Sequence, residues 1–196
     1  MSSSRNRILT KIKESIPTYT PAPELNFEKW QFDDPVDKFC AILATVGGEA
    51  VLINSESDIL NHLHIPQDAK VISAIETIQD NNLERDKIAS AHDMKDIDFC
   101  CFKGHFAVAE NAALYSQCDD FHFRSVYFLA ENLVVTLNRS DILNNMHEAY
   151  ERLKEIEANH FSAFISGPSK TADIEQSLVI GAHGARSLKV FILKSQ

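Results

Sequence analysis

Nearly uninterrupted apolar runs occupy residues 50–53, 71–75, 133–137, 161–165 and 188–193. Strands without polar alternation are usually buried on both faces, as in a parallel sheet covered by helices. Shorter runs at 97–102, 106–109 and 112–115 bracket turns at Lys103-Gly104 and Glu110-Asn111. Helical spacing appears between them. Asp34-Pro35 suits a helix start, the stripe Val36, Phe39, Cys40, Leu43 and Val46 follows, and Gly47-Gly48 ends it. Ser55, with Asp58 three residues on, caps a helix through about His62. Ser140 opens a longer helix whose Ile142, Met146, Ala149, Tyr150, Leu153 and Ile156 share one face. A short helix is predicted from Ala172 to about Ile180. Alternating strands and helices predict an α/β fold with a mostly parallel sheet between helical layers. Residues 161–193 read as strand, loop, helix, turn and strand, about the size of one parallel crossover unit. Loops at the carboxyl ends of such strands are where ligands usually bind.

The first 34 residues differ from the rest. Ile8, Leu9, Ile12 and Ile16 fall at helical spacing among cationic residues, and Pro17, Pro21, Pro23 and Pro35 punctuate the connector after them. The division is therefore an arm and connector over 1–34 and an α/β domain over 35–196. Phe27, Trp30 and Phe32 are the expected anchors of the connector. The arm is expected to dock on the body or on a partner chain rather than on a membrane.

At this length the chain can bury roughly 70% of its unfolded surface without a disulfide or metal staple. The formal net charge of −9 argues against nucleic acid or an anionic membrane as the main partner. No apolar run is long enough for a transmembrane segment, and the first residues lack a signal-peptide core, so the expected compartment is the cytoplasm. Cys100 and Cys101 are adjacent, Cys40 and Cys118 are isolated, and no Cys-x-x-Cys pair exists. The expectation is free thiols, with no cofactor and no metal site within this chain.

Candidate chemistry concentrates near the C-terminus. In Ser166-Gly167-Pro168-Ser169-Lys170-Thr171, backbone amides and Lys170 could hold a phosphate or carboxylate, with Ser169 or Thr171 capping a helix. Asp173 and Glu175 already complement that helix start, so a neutral polar ligand, or a clamp from Asp173 to Lys170 or Arg186, is an alternative. His183, between Gly181 and Gly184, suits either a general acid–base or one structural hydrogen bond. Arg186 suits a ligand carboxylate or Asp173. Glu110 ends a buried run and reads as a nucleophile or base, or as an acceptor for backbone amides of the next turn. His147-Glu148 lacks the second His of a zincin motif, because position 151 is Glu. His62 and His64 are not expected to hold a metal. Walker, nucleophile-elbow and dinucleotide loops are absent.

The run Ser166-Gly-Pro-Ser-Lys-Thr-Ala-Asp-Ile-Glu175, continued by Gly181-Ala-His-Gly184 and the last strand, resembles the lactate-utilization (LUD) domain family. Phe106-Ala-Val-Ala-Glu110 resembles the family's strand into a Glu-centred turn, and Asn145-Met-His-Glu-Ala-Tyr150 a helix of some members. The resemblance is good over residues 97–196. Two departures stand out: Ala112 and Ala130 occupy positions where members often carry Gly and Pro. The resemblance implies a three-layer α/β sandwich similar to ribose-5-phosphate isomerases, glucosamine-6-phosphate deaminases and CoA-transferases. It also implies a part in oxidising L-lactate to pyruvate, with iron–sulfur clusters on separately encoded partner subunits. The leading expectation is an accessory subunit of such a complex, binding a small anionic ligand through Glu110, Ser169, Lys170, Thr171, Asp173, His183 and Arg186, with Glu110 and His183 as the catalytic candidates. A stand-alone enzyme acting on a sugar phosphate, acyl-CoA or folate-like carboxylate is the alternative. A structural scaffold without a site is the third.

Overall fold

A computed structural model describes residues 4–17, 20–21, 30–156, 161–172, 178–180 and 184–194, with the backbone alone for 171–172 and 178–180. Helix α1 spans Ser4–Ser15 and buries none of its residues. Helix α2, Pro35–Thr45, begins where the sequence places it. Asp34 Oδ1 accepts from the amides of Val36 (2.8 Å) and Asp37 (3.3 Å), and Pro35 takes the first turn. Its buried stripe is Val36, Phe39 and Leu43, and full burial of side chains this size stabilises by about 2 kcal/mol each.

Strand β1 is Glu49–Ile53. A Ser55–Asp58 capping box then leads through a single tight turn into α3, Ile59–His62. After β2, Val71–Ser73, come two short 3₁₀ turns, and then β3, Phe99–Lys103, β4, Phe106–Val108, and β5, Ala113–Ser116. A short helix α4, Val126–Leu129, precedes β6, Asn132–Asn138. The rest is β7, Ile142–Leu143; α5, Met146–Leu153; β8, Ala163–Ile165; β9, Lys170–Ala172; β10, Leu178–Ile180; and β11, Ser187–Leu193.

Five strands form a parallel sheet in the order β1-β11-β6-β3-β2. Period-two geometry sends neighbouring residues to opposite faces. Cys100, Phe102, Leu133, Val135, Val190 and Ile192 therefore pack on one side with Phe39 and Leu43 of α2. On the other, Cys101, Val134 and Phe191 pack with Ile59 of α3. A second sheet, β7-β4-β5-β8, lies on the α2 side, where Ala107 and Leu114 join the same cluster. Helix α5 covers its outer face through Ala149, against Phe106, Val108 and Tyr115. The expected α/β architecture, a parallel central sheet flanked by helices, is what the chain forms.

Three local expectations need correction. The helix expected from Ser140 starts at Met146, because Ile142 and Leu143 pair with Ala107 and Val108 as a strand and Asn145, in extended backbone, caps the helix by accepting from the Glu148 amide. Of the helix expected over 172–180, the described ends, Ala172 and Leu178–Ile180, are strand instead. Leu178–Ile180 runs antiparallel to Lys170–Ala172, with Lys170 opposite Ile180, and Leu-Val-Ile is a run that favours strand. Finally, β8 is no partner of β11 in a crossover unit; it pairs antiparallel with β5 in the second sheet. Of the expected anchors, Phe32 packs on the core, Trp30 is 66% exposed, and Phe27 lies outside the described residues. No described helix is long and apolar enough to cross a membrane.

Candidate functional site

Strand β4 runs into the Glu110 corner already fully bonded. The Ala109 amide donates to the Leu143 carbonyl (2.8 Å) and the Glu110 amide to that of Asn144 (3.1 Å). The half-buried Glu110 side chain accepts from the Met146 amide at 2.9 Å, at the first turn of α5. Its carboxylate thus satisfies a helix-start donor that would otherwise lack an intrahelical partner. The amide lies on a helix far along the chain rather than in the turn that follows. Asn111 Oδ1 accepts from the Ala113 amide (3.0 Å), closing a side-chain turn. Between them, fully buried Ala112 adopts φ +54°, a left-handed backbone that favours glycine. Around the corner, Asn144 and Asn145 hold the connector, accepting the Phe32 amide (2.9 Å) and donating to the Trp30 carbonyl (2.8 Å).

The loop after β8 is joined to this corner. Ser166 Oγ donates to the Asn111 carbonyl at 2.8 Å. Gly167 has φ +79°, and a Cβ there would lie 2.7 Å from the Val46 carbonyl oxygen. The Ser169 amide donates to the Ala185 carbonyl at 2.7 Å. A Cβ on Gly184 would meet Ser169 Cβ at 3.0 Å and the Phe128 carbonyl at 3.2 Å, so this close approach of two backbones explains the glycine. Lys170 is exposed in β9. The Arg186 amide donates to the Glu131 carbonyl (2.7 Å), and its guanidinium is 3.5 Å from the Glu131 carboxylate, both side chains largely in solvent. Such a surface pair is worth about 0–1 kcal/mol and leaves Arg186 available to an anion.

The folded chain therefore connects the corner at 110–112, the loop at 166–169 and the segment at 184–186 in one seam. Thr171 is described only in its backbone, and Asp173 and His183 lie outside the described residues. The seam sits at the amino-terminal edge of the parallel sheet, since Arg186 directly precedes β11 and Glu131 directly precedes β6. The expectation of a loop at the carboxyl ends of the strands is corrected: β8 belongs to the other sheet, so the loop after it turns back toward the start of β11.

The carboxyl edge carries residues that the sequence reading left out. Asn54, Ser55, Glu56, Lys103, Thr136 and Asn138 border a hollow of about 450 Å3 there. A signal existed: polar residues directly follow the apolar runs ending at Ile53 and Phe102, and Asn138 closes the run at 133–137. Nothing local shows that those run ends are neighbours in space.

The LUD domain profile matches residues 43–193. Lactate utilization protein C of Bacillus pumilus is 31% identical over 84 residues, 40% of this chain and 35% of that protein. The protein of the same name from Anoxybacillus flavithermus is 38% identical over 61 residues, 31% of this chain and 28% of that protein. The matches thus span about a third of the length of these relatives. A crystal structure of a DUF162 family protein from Deinococcus radiodurans superposes with a TM-score of 0.63 over 82% of this chain and 96% of that one. At 14% identity that likeness concerns the fold alone.

Proposed function

This chain belongs to the LUD domain family, and from that premise we propose that it serves lactate utilisation as a ligand-binding accessory subunit. In this reading it works beside iron–sulfur chains that oxidise L-lactate to pyruvate. The observation that carries the proposal is the match over residues 43–193, which takes in every strand of the parallel sheet, together with the name its relatives share.

The thiols support a division of labour in which clusters reside on the partners. Iron is bound by thiolates. Cys100 and Cys101 project from β3 to opposite faces of the sheet, so these neighbours cannot chelate one ion. Burial pushes the Cys101 thiol up to about 12 and the Cys118 thiol to about 11, and raises Cys100 well above its ordinary value. The small anion of this reading meets the seam. Lys170 and Arg186 supply positive charge on an acidic chain and Ser169 a hydroxyl, while Thr171, Asp173 and His183 enter the reading from the sequence alone. Glu110 holds the corner against α5.

The test is genetic and biochemical. Removing the gene is expected to abolish growth on L-lactate, and the full-length chain purified from its native host is expected to bring iron–sulfur chains with it. Unimpaired growth on L-lactate, or recovery of the chain by itself, defeats the proposal.

A further inference from the structure

The hollow at the carboxyl edge lies where the connections of the parallel sheet diverge. The chain leaving β1 crosses to the face of Ile59, Cys101 and Phe191. The chains leaving β3 and β6 enter the second sheet, on the face of Phe102, Val135 and Leu114. Strand β11 ends between them, with the Lys194 amide donating to the Ile53 carbonyl (2.9 Å). Connections departing to opposite faces open a crevice above the strand ends, and in open α/β sheets such a switch point is where ligands bind. Its volume of about 450 Å3 is within the range of small-molecule sites, roughly 300–1,000 Å3.

The chemistry of the walls narrows the ligand. Lys103 Nζ is 3.3 Å from Glu56 Oε1, with the two side chains 50% and 23% exposed. A pair so placed is held by about 0–1 kcal/mol, so a ligand can share it at little cost. A bare anion is drawn to Lys103 but repelled by Glu56, whereas a neutral polyol leaves Lys103 without a new counter-charge. A molecule carrying an oxyanion and a hydroxyl satisfies both groups at once, and Asn54, Ser55, Thr136 and Asn138 offer further donors and acceptors. We propose that this crevice binds a small hydroxylated anion, its carboxylate or phosphate on Lys103 and one hydroxyl donating to Glu56. The site is separate from the seam and does not depend on the lactate reading.

The experiment is a titration of the 15N-labelled full-length chain with D-gluconate, glycerol 3-phosphate and sulfate, read by amide chemical shifts. The expected result is saturable shifts at residues 54–56, 103–104 and 136–138 with gluconate or glycerol 3-phosphate, and binding at least tenfold weaker with sulfate. Response to gluconate alone assigns a carboxylate ligand, and to glycerol 3-phosphate alone a phosphate ester. Lys103→Met is expected to weaken binding at least tenfold. Glu56→Gln is expected to narrow the preference over sulfate at least threefold. The melting temperatures of both variants report their folding, and Asn54→Asp, an exposed rim change, is expected to weaken binding independently. Sulfate binding as tightly as the hydroxylated anions, shifts mapping to residues 169–186, no saturable response to either organic anion, or unchanged affinity in folded Lys103→Met overturns the proposal.

Discussion

The Glu110 carboxylate, 2.9 Å from the Met146 amide, does for α5 what a capping side chain does. Removing it as Glu110→Ala is expected to lower stability by about 1 kcal/mol, the usual loss for a capping acceptor. Glu110→Gln keeps an oxygen in place and is expected to lose less. Urea denaturation midpoints of the two variants check this, and equal losses would show that the hydrogen bond contributes nothing. At this scale the sequence showed that an acid closes a buried run, and left open what it does there. The amide it accepts belongs to a helix start 36 residues along the chain, and no local pattern specifies such a partner. Ala112 is the converse case. Its left-handed φ belongs to the turn itself, a backbone conformation that glycine adopts more readily than alanine.

Elements are held in the seam by backbone proximity. Gly167 sits against the end of α2, where a methyl group would stand 2.7 Å from the Val46 carbonyl oxygen and in a backbone conformation that side chains avoid. Gly167→Ala is therefore expected to destabilise by about 2 kcal/mol or more, combining strain with a clash against rigid backbone. A thermal melt indistinguishable from that of the natural chain would mean that the loop has another position open to it. The same scale shows where periodicity fails. Residues 142–156 carry a helical stripe throughout, yet Ile142 and Leu143 become an edge strand because β4 offers them hydrogen bonds. For residues 178–180, the decisive partner is Lys170–Ala172. In both places short segments compatible with two conformations adopt the one that a neighbouring backbone can satisfy.

On the scale of the whole molecule, α1 is a helix that buries none of its own residues. Ile8, Leu9 and Ile12 on it, and Ile16 just after it, are 41–65% exposed. Deleting residues 1–16 is expected to move the melting temperature by no more than about 1 °C, since a change of 1 kcal/mol would move it about 2–4 °C for a chain this size. A fall of several degrees would reveal docking on the body. By itself the sequence determined the α/β class, the strands of the parallel sheet, the start of α2 and the capped turn at Ser55 that leads into α3. Those depend on apolar run length and on caps such as Asp34 and Ser55, which act within a few residues. Only the tertiary structure decided that β8 joins the second sheet, that the candidate loop faces the amino edge, and that Glu56, Lys103 and Asn138 share one crevice. Those outcomes depend on strand pairing between segments tens of residues apart, and the order in which strands pair is not written in the spacing of any one of them.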